Sequence, residues 1–387
     1  MELTKKQEEG LKIALERYKR GEKYTVISGY AGSGKSTLVK FIIDALNVRE
    51  SQVGFATFTG KASLVLRNNG NKNSQTLHKL LYFAYKDKKG KYHFSVKPKR
   101  MRPDYKIIVV DEVSMVPKKI IEDLMTYDSY IIFLGDPFQL PPISADSNNH
   151  LLDKPHVFLD EIMRQAKESE IIRVSMDIRE GRELYPFKGK EVQIFDKNFL
   201  SDGMLQWADQ ILTATNKTRM TINNRMRELA GRGSSPEVGD KIICAHNYWS
   251  FENPLINGMI GTITNYQKDI LNLPIECGGR VPCAYMGFLN DTNDEYQGLI
   301  IDPKMIAQEQ HTLTDRQMDK LKRNKDLSIE FLDFLYGYAI TVHKAQGSQF
   351  DKVLVVEEKF PFNKEEHQRW LYTAVTRAID KCVIIKK

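Results

Sequence analysis

The sequence predicts an α/β fold of two parallel-sheet cores, the first carrying a β-hairpin insertion and the second a small β-barrel insertion. Three observations carry this expectation. Short β-branched runs alternate with amphipathic runs up to about residue 152 and again beyond it, as crossover-connected parallel strands require. A basic, aromatic segment with a central turn interrupts the first series at residues 82–103. From residue 237 to about 334 the texture changes to short strands separated by Gly, Asn and Pro turns.

With 387 residues, 41% of them hydrophobic, the chain can fill two such cores. Its net charge is +7, and one window holds an excess as large: residues 82–106 carry nine Lys/Arg against Asp87 and Asp104. Interleaved with Tyr82, Phe83, Tyr85, Tyr92 and Phe94, this segment suits a polyanion with stackable bases; a solvated basic hairpin is the alternative. Cys244, Cys277, Cys283 and Cys382 have no CxxC spacing, which argues against a zinc site or a disulfide framework. The N-terminus lacks an apolar signal core and no stretch is long enough to cross a bilayer, so no membrane association and a reducing, cytoplasmic setting are expected.

The first core opens on a helix with Thr4 as N-cap and Leu11, Ala14, Leu15 and Tyr18 on its apolar face. Gln7 can donate and accept at once, which suits the N6/N7 edge of adenine, although a surface glutamine is the plainer reading. Next, Tyr24-Thr25-Val26-Ile27-Ser28 reads as a strand, and Leu38, Val39, Phe41, Ile42, Ala45 and Leu46 fall at helical spacing. Between them lies Gly29-Tyr30-Ala31-Gly32-Ser33-Gly34-Lys35-Ser36-Thr37, a phosphate loop in the strand-loop-helix context it needs. Glycines clear the way for phosphates, and successive backbone N–H groups form an anion nest at a helix N-terminus. Lys35 then supplies a point charge to the β/γ-phosphates and the Ser36 hydroxyl can sit on Mg²⁺. A glycine-rich turn without a ligand is the structural alternative.

Residues 53–57 read as a second strand, ending in Thr57, Phe58 and Thr59, with Thr76 and His78 following; hydroxyls and an aromatic there suit a phosphate backbone, or ordinary caps and turns. The basic window splits around Asp87-Lys88-Lys89-Gly90 into a hairpin. The run Lys106-Ile107-Ile108-Val109-Val110 predicts a strand buried on both faces, ending in Asp111-Glu112. Asp111 can hold Mg²⁺ directly or through water, and Glu112 can polarise the attacking water; two solvated acids are the alternative. The strand 130–134 runs into Gly135-Asp136-Pro137-Phe138-Gln139-Leu140-Pro141-Pro142, a rigid loop whose Gln139 can sense a γ-phosphate. In the second core, a helix is expected near 169–179, a strand at 210–215, helices at 217–229 and 365–378, and strands at 352–356 and 382–385; a charged helix near 314–324 closes the barrel.

The order of these signals resembles a superfamily 1 helicase over nearly the whole chain. Gln7 matches the family's adenine-reading Q motif, residues 29–37 motif I, 55–62 motif Ia, 76–78 motif Ib, 111–115 motif II, 135–142 motif III, Arg164 motif IV, 339–349 motif V and 372–378 motif VI. Asp-Glu-Val-Ser-Met with Gly-Asp-Pro-Phe-Gln-Leu-Pro-Pro is similar to the RecD-like and Dda-like branch, whose members translocate 5′ to 3′ on single-stranded DNA. Ala345 and Gln349 depart from the Ser and Glu frequent in RecD-like motif V, which leaves ribose and DNA contacts there open. The long N-terminal region of some RecD-like proteins has no counterpart, so little beyond the motor is expected.

The resemblance implies two RecA-like cores, a 1B pin hairpin and a 2B SH3-like β-barrel. The expected boundaries are 1–81 with 104–152 for 1A, 82–103 for 1B, 153–236 with 335–387 for 2A, and 237–334 for 2B. It implies ATP and Mg²⁺ as cofactors, with the nucleotide held by Gln7, Gly32, Ser33, Gly34, Lys35, Ser36 and Thr37, the metal by Ser36 and Asp111, and catalysis by Lys35, Glu112, Gln139, Arg164 and Arg377. DNA is expected on Thr57, Phe58, Thr59, Thr76, His78, Thr341, His343 and Lys344, and strand separation at Tyr85, Lys88, Lys89, Tyr92 and Phe94. Expected partners are single-stranded DNA, single/double-strand junctions and replication or recombination proteins, with a monomer acting alone or beside a replisome. A 3′-to-5′ UvrD-like motor and a DNA-independent P-loop ATPase are the alternatives.

Overall fold

The computed structural model describes residues 3–68, 70–86, 92–141, 149–163, 168–248, 251, 254–324, 327, 329–358 and 363–387. The chain forms two compact units, one made of Met1–Tyr82, Val96–Ala214 and Ala345–Lys387, the other of Phe83–Ser95 and Thr215–Lys344.

In the first unit α1 (Lys5–Lys19) starts at a capping box, in which the Thr4 hydroxyl accepts from the Gln7 amide and the Gln7 side chain accepts from the Thr4 amide. Then come β1 (Tyr24–Gly29), α2 (Lys35–Ala45), β2 (Val53–Thr57), α3 (Gly60–Asn68), β3 (Ser74–Thr76) and α4 (Leu77–Leu81). The hairpin strands β4 (Tyr82–Lys86) and β5 (Tyr92–Val96), which fall almost wholly in the second unit, come next in the chain, and the first unit continues with β6 (Ile107–Asp111), α5 (Lys118–Leu124), β7 (Tyr130–Gly135) and β8 (Val157–Leu159). The first sheet is parallel, in the order β3-β2-β6-β7-β1-β8. Its central strands alternate between two cores. Ile107 and Val109 join Leu38, Val39 and Ile42 of α2 on one face, whereas Ile108 and Val110 join Leu77 and Leu80 of α4 and Ile121 and Leu124 of α5 on the other. The near-continuous apolar run is thus buried on both sides, each large side chain contributing about 1.5–3 kcal/mol.

This sheet continues past the boundary expected at residue 152. β8 pairs with β1 through Val157, Phe158 and Leu159. At three residues, one of them outward-facing, β8 is too short to stand out from the loop that precedes it.

The second sheet begins with α6 (Glu170–Arg179), β9 (Phe187–Lys188), β10 (Val192–Asp196), α7 (Asp202–Trp207) and β11 (Gln210–Thr213). The chain then builds the second unit: α8 (Asn216–Leu229), β12 (Lys241–Cys244), β13 (Ile260–Asn272), β14 (Arg280–Asn290), β15 (Glu295–Ile301), α9 (Pro303–Gln308), α10 (Asp315–Arg323), β16 (Phe334–Tyr336), β17 (Ala339–Thr341) and α11 (Val342–Ala345). Strands β15-β14-β13-β12-β16 form an antiparallel sheet that curls until Ile301 bridges to Leu332, just before β16, giving the small barrel. The sequence reading missed β14, the strand shared by β13 and β15. Gly287 and a register shift at Met286/Phe288 break its alternation, and a Cβ at Gly287 would meet the Thr264 hydroxyl at 2.5 Å.

The first unit resumes with β18 (Phe350–Val356), α12 (Lys364–Val375) and β19 (Ala378–Lys386), completing parallel pairing in the order β11-β18-β19-β10, with β9 antiparallel at the edge. Here α12 stops three residues earlier than expected and β19 starts four earlier, because Phe350 pairs with Ala378 and draws that residue into the sheet. All four cysteines are free and buried, and no helix among the described residues is long and apolar enough to cross a membrane.

Within the second unit, Asn223 on α8 is 2% exposed and carries the backbone of β16 and β17. Its amide donates to the carbonyls of Tyr336 and Ala339 at 3.1 Å, and its oxygen accepts from the Ala339 N–H at 2.8 Å. Asn223→Ala leaves three buried backbone groups unpaired and is expected to cost about 3 kcal/mol or more, read as a lowered urea midpoint; a loss below about 1 kcal/mol would mean that water or repacking satisfies them.

Candidate nucleotide site and nucleic-acid interface

The carboxyl ends of β1, β7 and β6 lie side by side, the usual place for a ligand in an open α/β sheet. At the end of β1 the loop turns through Gly32 (φ +75°) and Gly34 (φ +78°) into α2. A Cβ at Gly34 would meet the Gln7 amide at 2.4 Å, so conformation and space both require glycine. Lys35 starts α2 and folds back to donate to the carbonyls of Gly29 (2.7 Å) and Tyr30 (2.9 Å). From β6 come Asp111 and Glu112, and from β7 Gly135 and Asp136. With Gln139 these residues line a cleft of about 260 Å³, which Gln349, Thr376 and Arg377 of the second-sheet elements complete.

Burial, and then the neighbouring Glu112 charge, push the Asp111 carboxyl up to about 6, against the pull of the Glu112 amide (2.8 Å) and Lys35. Glu112 itself sits at φ +54°, a left-handed conformation that few non-glycine residues adopt. Its Oε1 lies 3.3 Å from Nη1 of Arg377, which is 3% exposed and is also held through Nε by the Thr373 carbonyl at 3.1 Å. Gly347 (φ +74°) makes this approach possible, since a Cβ there would come within 2.9 Å of Glu112 Oε2 and 2.5 Å of the Thr59 hydroxyl. Glu112 Oε2, Gln139 Oε1 and the Ser33 hydroxyl are buried without a partner among the described residues. The hydroxyl of Ser36, on the exposed side of the loop, and the Asp111 carboxylate are hard oxygen donors. This set fits a magnesium-bound triphosphate.

The other sequence-predicted residues divide. Gln7 is not on the surface: it is 1% exposed, and its amide donates to Gly34 O and Met163 Sδ at 3.3 Å, so the helix cap and the phosphate loop share one side chain. Arg164 lies outside the described residues. Two of the expected DNA contacts need correction. Thr57 is fully buried and donates to the Thr59 carbonyl at 2.9 Å, and the buried Thr76 hydroxyl accepts from the Lys79 amide at 3.1 Å as the N-cap of α4; both hydroxyls shape backbone instead of facing solvent. Phe58 and His78 are half-buried with ring centroids 5.7 Å apart, and His78 stands 5.8 Å from Tyr82. Burial holds the imidazoles of both His78 and His343 below their ordinary value, so each is neutral at pH 7. In the second unit, half-buried Thr341 ends β17 and His343 and Lys344 follow on α11; burial and the Arg219 charge lower the Lys344 ammonium. Tyr85 is 46% exposed on β4, whereas Lys88 and Lys89 and the side chains of Tyr92 and Phe94 lie outside the described residues.

Comparison with known proteins places the chain in a family. A family model described as an AAA domain matches residues 2–198, and one described as a UvrD-like helicase C-terminal domain matches residues 336–385. The chain belongs to the RecD/Pif1-like superfamily 1 helicases. Over 380 residues it is 25% identical to the ATP-dependent RecD2 DNA helicase of Deinococcus radiodurans, a match covering 93% of this chain and 46% of that one. It is 28% identical over 190 residues to the ATP-dependent DNA helicase dda of Enterobacteria phage T4, covering 47% of this chain and 43% of the relative. The chain thus spans less than half the length of these two relatives. Its fold is similar to that of a Pif1 helicase from Bacteroides, crystallised with ADP-AlF3 and ssDNA, with a TM-score of 0.54 at 17% identity, covering 99% of this chain and 92% of that one.

Three residues of this RecD/Pif1-like chain fall within its motifs but have no role assigned from the sequence. Gly347 lies inside motif V, Asp136 inside motif III and Tyr372 inside motif VI, but their roles depend on partners far away in the chain. Only Gly347 carried a local signal, as a glycine between polar residues.

The Asp111 geometry has a pH consequence. A carboxyl pushed up from 3.8 to about 6 binds its proton more tightly in the folded chain, so stability falls as pH rises from about 4 through about 6. Asp111→Asn removes that penalty and is expected to stabilise the nucleotide-free protein by about 3 kcal/mol at pH 7.5, with the gain shrinking at pH 4.5. Urea unfolding at both pH values measures it, and an equal gain at both would exclude burial of the charge as the cause.

Proposed function

We propose that this chain is an ATP-driven motor that translocates 5′ to 3′ along single-stranded DNA and unwinds duplex ahead of it. The observation that carries this reading is the contact between Arg377, which follows the last helix of the second sheet, and Glu112 at the end of β6, in the cleft lined by the phosphate loop. An enzyme that only hydrolysed ATP would need the loop and the acid pair, whereas a motor needs hydrolysis to depend on the closeness of two sheets.

The roles follow from the chemistry. The amides of Gly32 to Thr37 cradle phosphate oxygens, and Lys35 exchanges its loop carbonyls for the β/γ-phosphates. Ser36 and Asp111 would hold Mg²⁺, which neutralises charge on the phosphate oxygens when bound. Glu112 takes the proton of the attacking water, Gln139 orients that water, and Gln7 supports the loop on the adenine side. Arg377, with Arg164 as a second candidate, neutralises the charge developing on the transferred phosphoryl group. DNA contacts are assigned to Phe58, Thr59 and His78 in the first unit and, separately, to Thr341, His343 and Lys344 in the second. Because both histidines are neutral, they contribute by stacking and hydrogen bonding rather than by phosphate neutralisation. The division into 1A, 1B, 2A and 2B, action as a monomer, and partnership with replication or recombination proteins belong to the same proposal.

Duplexes with only a 5′ or only a 3′ single-stranded overhang test class and polarity together. Unwinding of the 5′-overhang substrate alone is expected, with ATPase activity stimulated by oligonucleotide; a strict 3′ requirement would mean UvrD-like polarity, and unstimulated hydrolysis without unwinding would mean a DNA-independent ATPase. Lys35→Ala is expected to abolish unwinding, and persistent activity would overturn the mechanism.

The hairpin is assigned as the strand-separating pin, since opening DNA costs on average about 1.4 kcal/mol per base-pair step and exposed Tyr85 offers a face to stack on. Deleting residues 87–91 is expected to lower unwinding several-fold more than DNA-stimulated ATPase. Equal loss of both rates would reject the pin.

A further inference from the structure

One helix face clasps the loop that follows β7. From α12, Arg369 donates to the Pro137 carbonyl at 2.7 Å, and the Thr373 hydroxyl accepts from the Leu140 amide at 3.1 Å. The Tyr372 ring meets Phe138 edge-on at 5.3 Å. These residues stand at i, i+3 and i+4, one side of a helix, and Arg377 follows a turn later. Gln346 completes the grip by donating to the Leu140 carbonyl at 2.8 Å. The Tyr372 hydroxyl is the centre of this arrangement. Only 1% exposed, Tyr372 donates its proton to Asp136 Oδ2 at 2.5 Å and accepts from the Ala31 N–H of the phosphate loop at 3.0 Å. Burial keeps the phenol far above its ordinary value, so it remains a donor across the working pH range. The other oxygen of Asp136 accepts from the Phe138 amide at 2.9 Å, and its carbonyl accepts from the Gln139 amide. That turn determines where Gln139 enters the cleft.

We infer that Tyr372 is a positioning residue: its hydroxyl joins the phosphate loop to the loop after β7, so that the state of the nucleotide site sets the placement of Gln139. The inference rests on the motor reading proposed above and deepens it. A shift of the Ala31 amide is felt at Asp136 through a single oxygen, and the turn built on Asp136 carries it to Gln139. Because Arg377 follows directly on the helix that carries Tyr372, the same displacement accompanies the approach of Arg377 to Glu112.

Tyr372→Phe keeps the ring against Phe138 and removes only the hydroxyl. A hydrogen bond to a charged partner is the one lost, so kcat for ATP hydrolysis is expected to fall about 10–100-fold with KM for ATP unchanged within about twofold. Asp136→Asn, which weakens the same bond from the other side, should match it. In the Gln139→Ala background the Tyr372→Phe change should cost less than about threefold, because the residue it positions is gone. Circular dichroism and the urea midpoint of each variant separate misfolding from mispositioning. Tyr372→Phe with wild-type kcat, a loss that falls on KM, or full additivity with Gln139→Ala would each overturn the inference. If wild-type hydrolysis is not stimulated by oligonucleotide, the motor reading fails, while the Tyr372 comparison is still decided on the basal rate.

Discussion

The ion pair between Arg377 and Glu112 is the contact on which the architecture turns. The two residues are 265 positions apart, and each is delivered by the end of an element in a different sheet. A buried guanidinium is costly to desolvate and is tolerated only with several acceptors around it. Arg377 has them in the Thr373 and Ser348 carbonyls as well as Glu112. Satisfying that requirement involves the end of α12, the segment around Gly347 and the left-handed turn at Glu112 together. Loosening any one of them leaves a charge stranded between two sheets.

The parts of the site that could be read from the sequence are those whose function lies in local backbone. The phosphate loop needs only a strand, positive-φ glycines and a helix N-terminus, and all three are consecutive in residues 24–45. The acid pair needs only a strand end. The apolar run before it was equally clear, since Ile107 to Val110 must be covered on both faces wherever the sheet lies. The hydroxyls were different. Thr57 and Thr76 sit where a phosphate contact was expected, yet each hydroxyl already has a partner two or three residues away, and sequence spacing does not rank a nearby carbonyl or amide against a ligand. The same limit hid Tyr372, whose two partners come from residues 31 and 136.

Short or irregular strands were the second source of error. β8 has three residues and β14 contains a glycine at a register shift, so neither shows the alternation that marks a strand. Both are held by their neighbours: β8 by β1, and β14 by β13 and β15 along most of its length. In the second unit a buried polar network also lies beside the apolar core. Asp240 is fully buried between Arg227, Arg232 and Tyr338, a network whose cost in desolvation is offset only when every member is paired. Such networks fix geometry without leaving a periodic trace in the sequence.

Asp111 gives the molecule an unusual thermal property. Its carboxylate lowers the stability of the nucleotide-free fold at neutral pH, in the cleft where a charged ligand would sit. Ligand binding adds stability by mass action, about 2.7 kcal/mol at a hundredfold excess over Kd, and a bound cation that favours the Asp111 carboxylate would act in the same direction. Occupancy is therefore translated directly into melting temperature. A dye-based melt across a panel of nucleotides and divalent salts would rank the ligands of this cleft before any DNA substrate had been prepared.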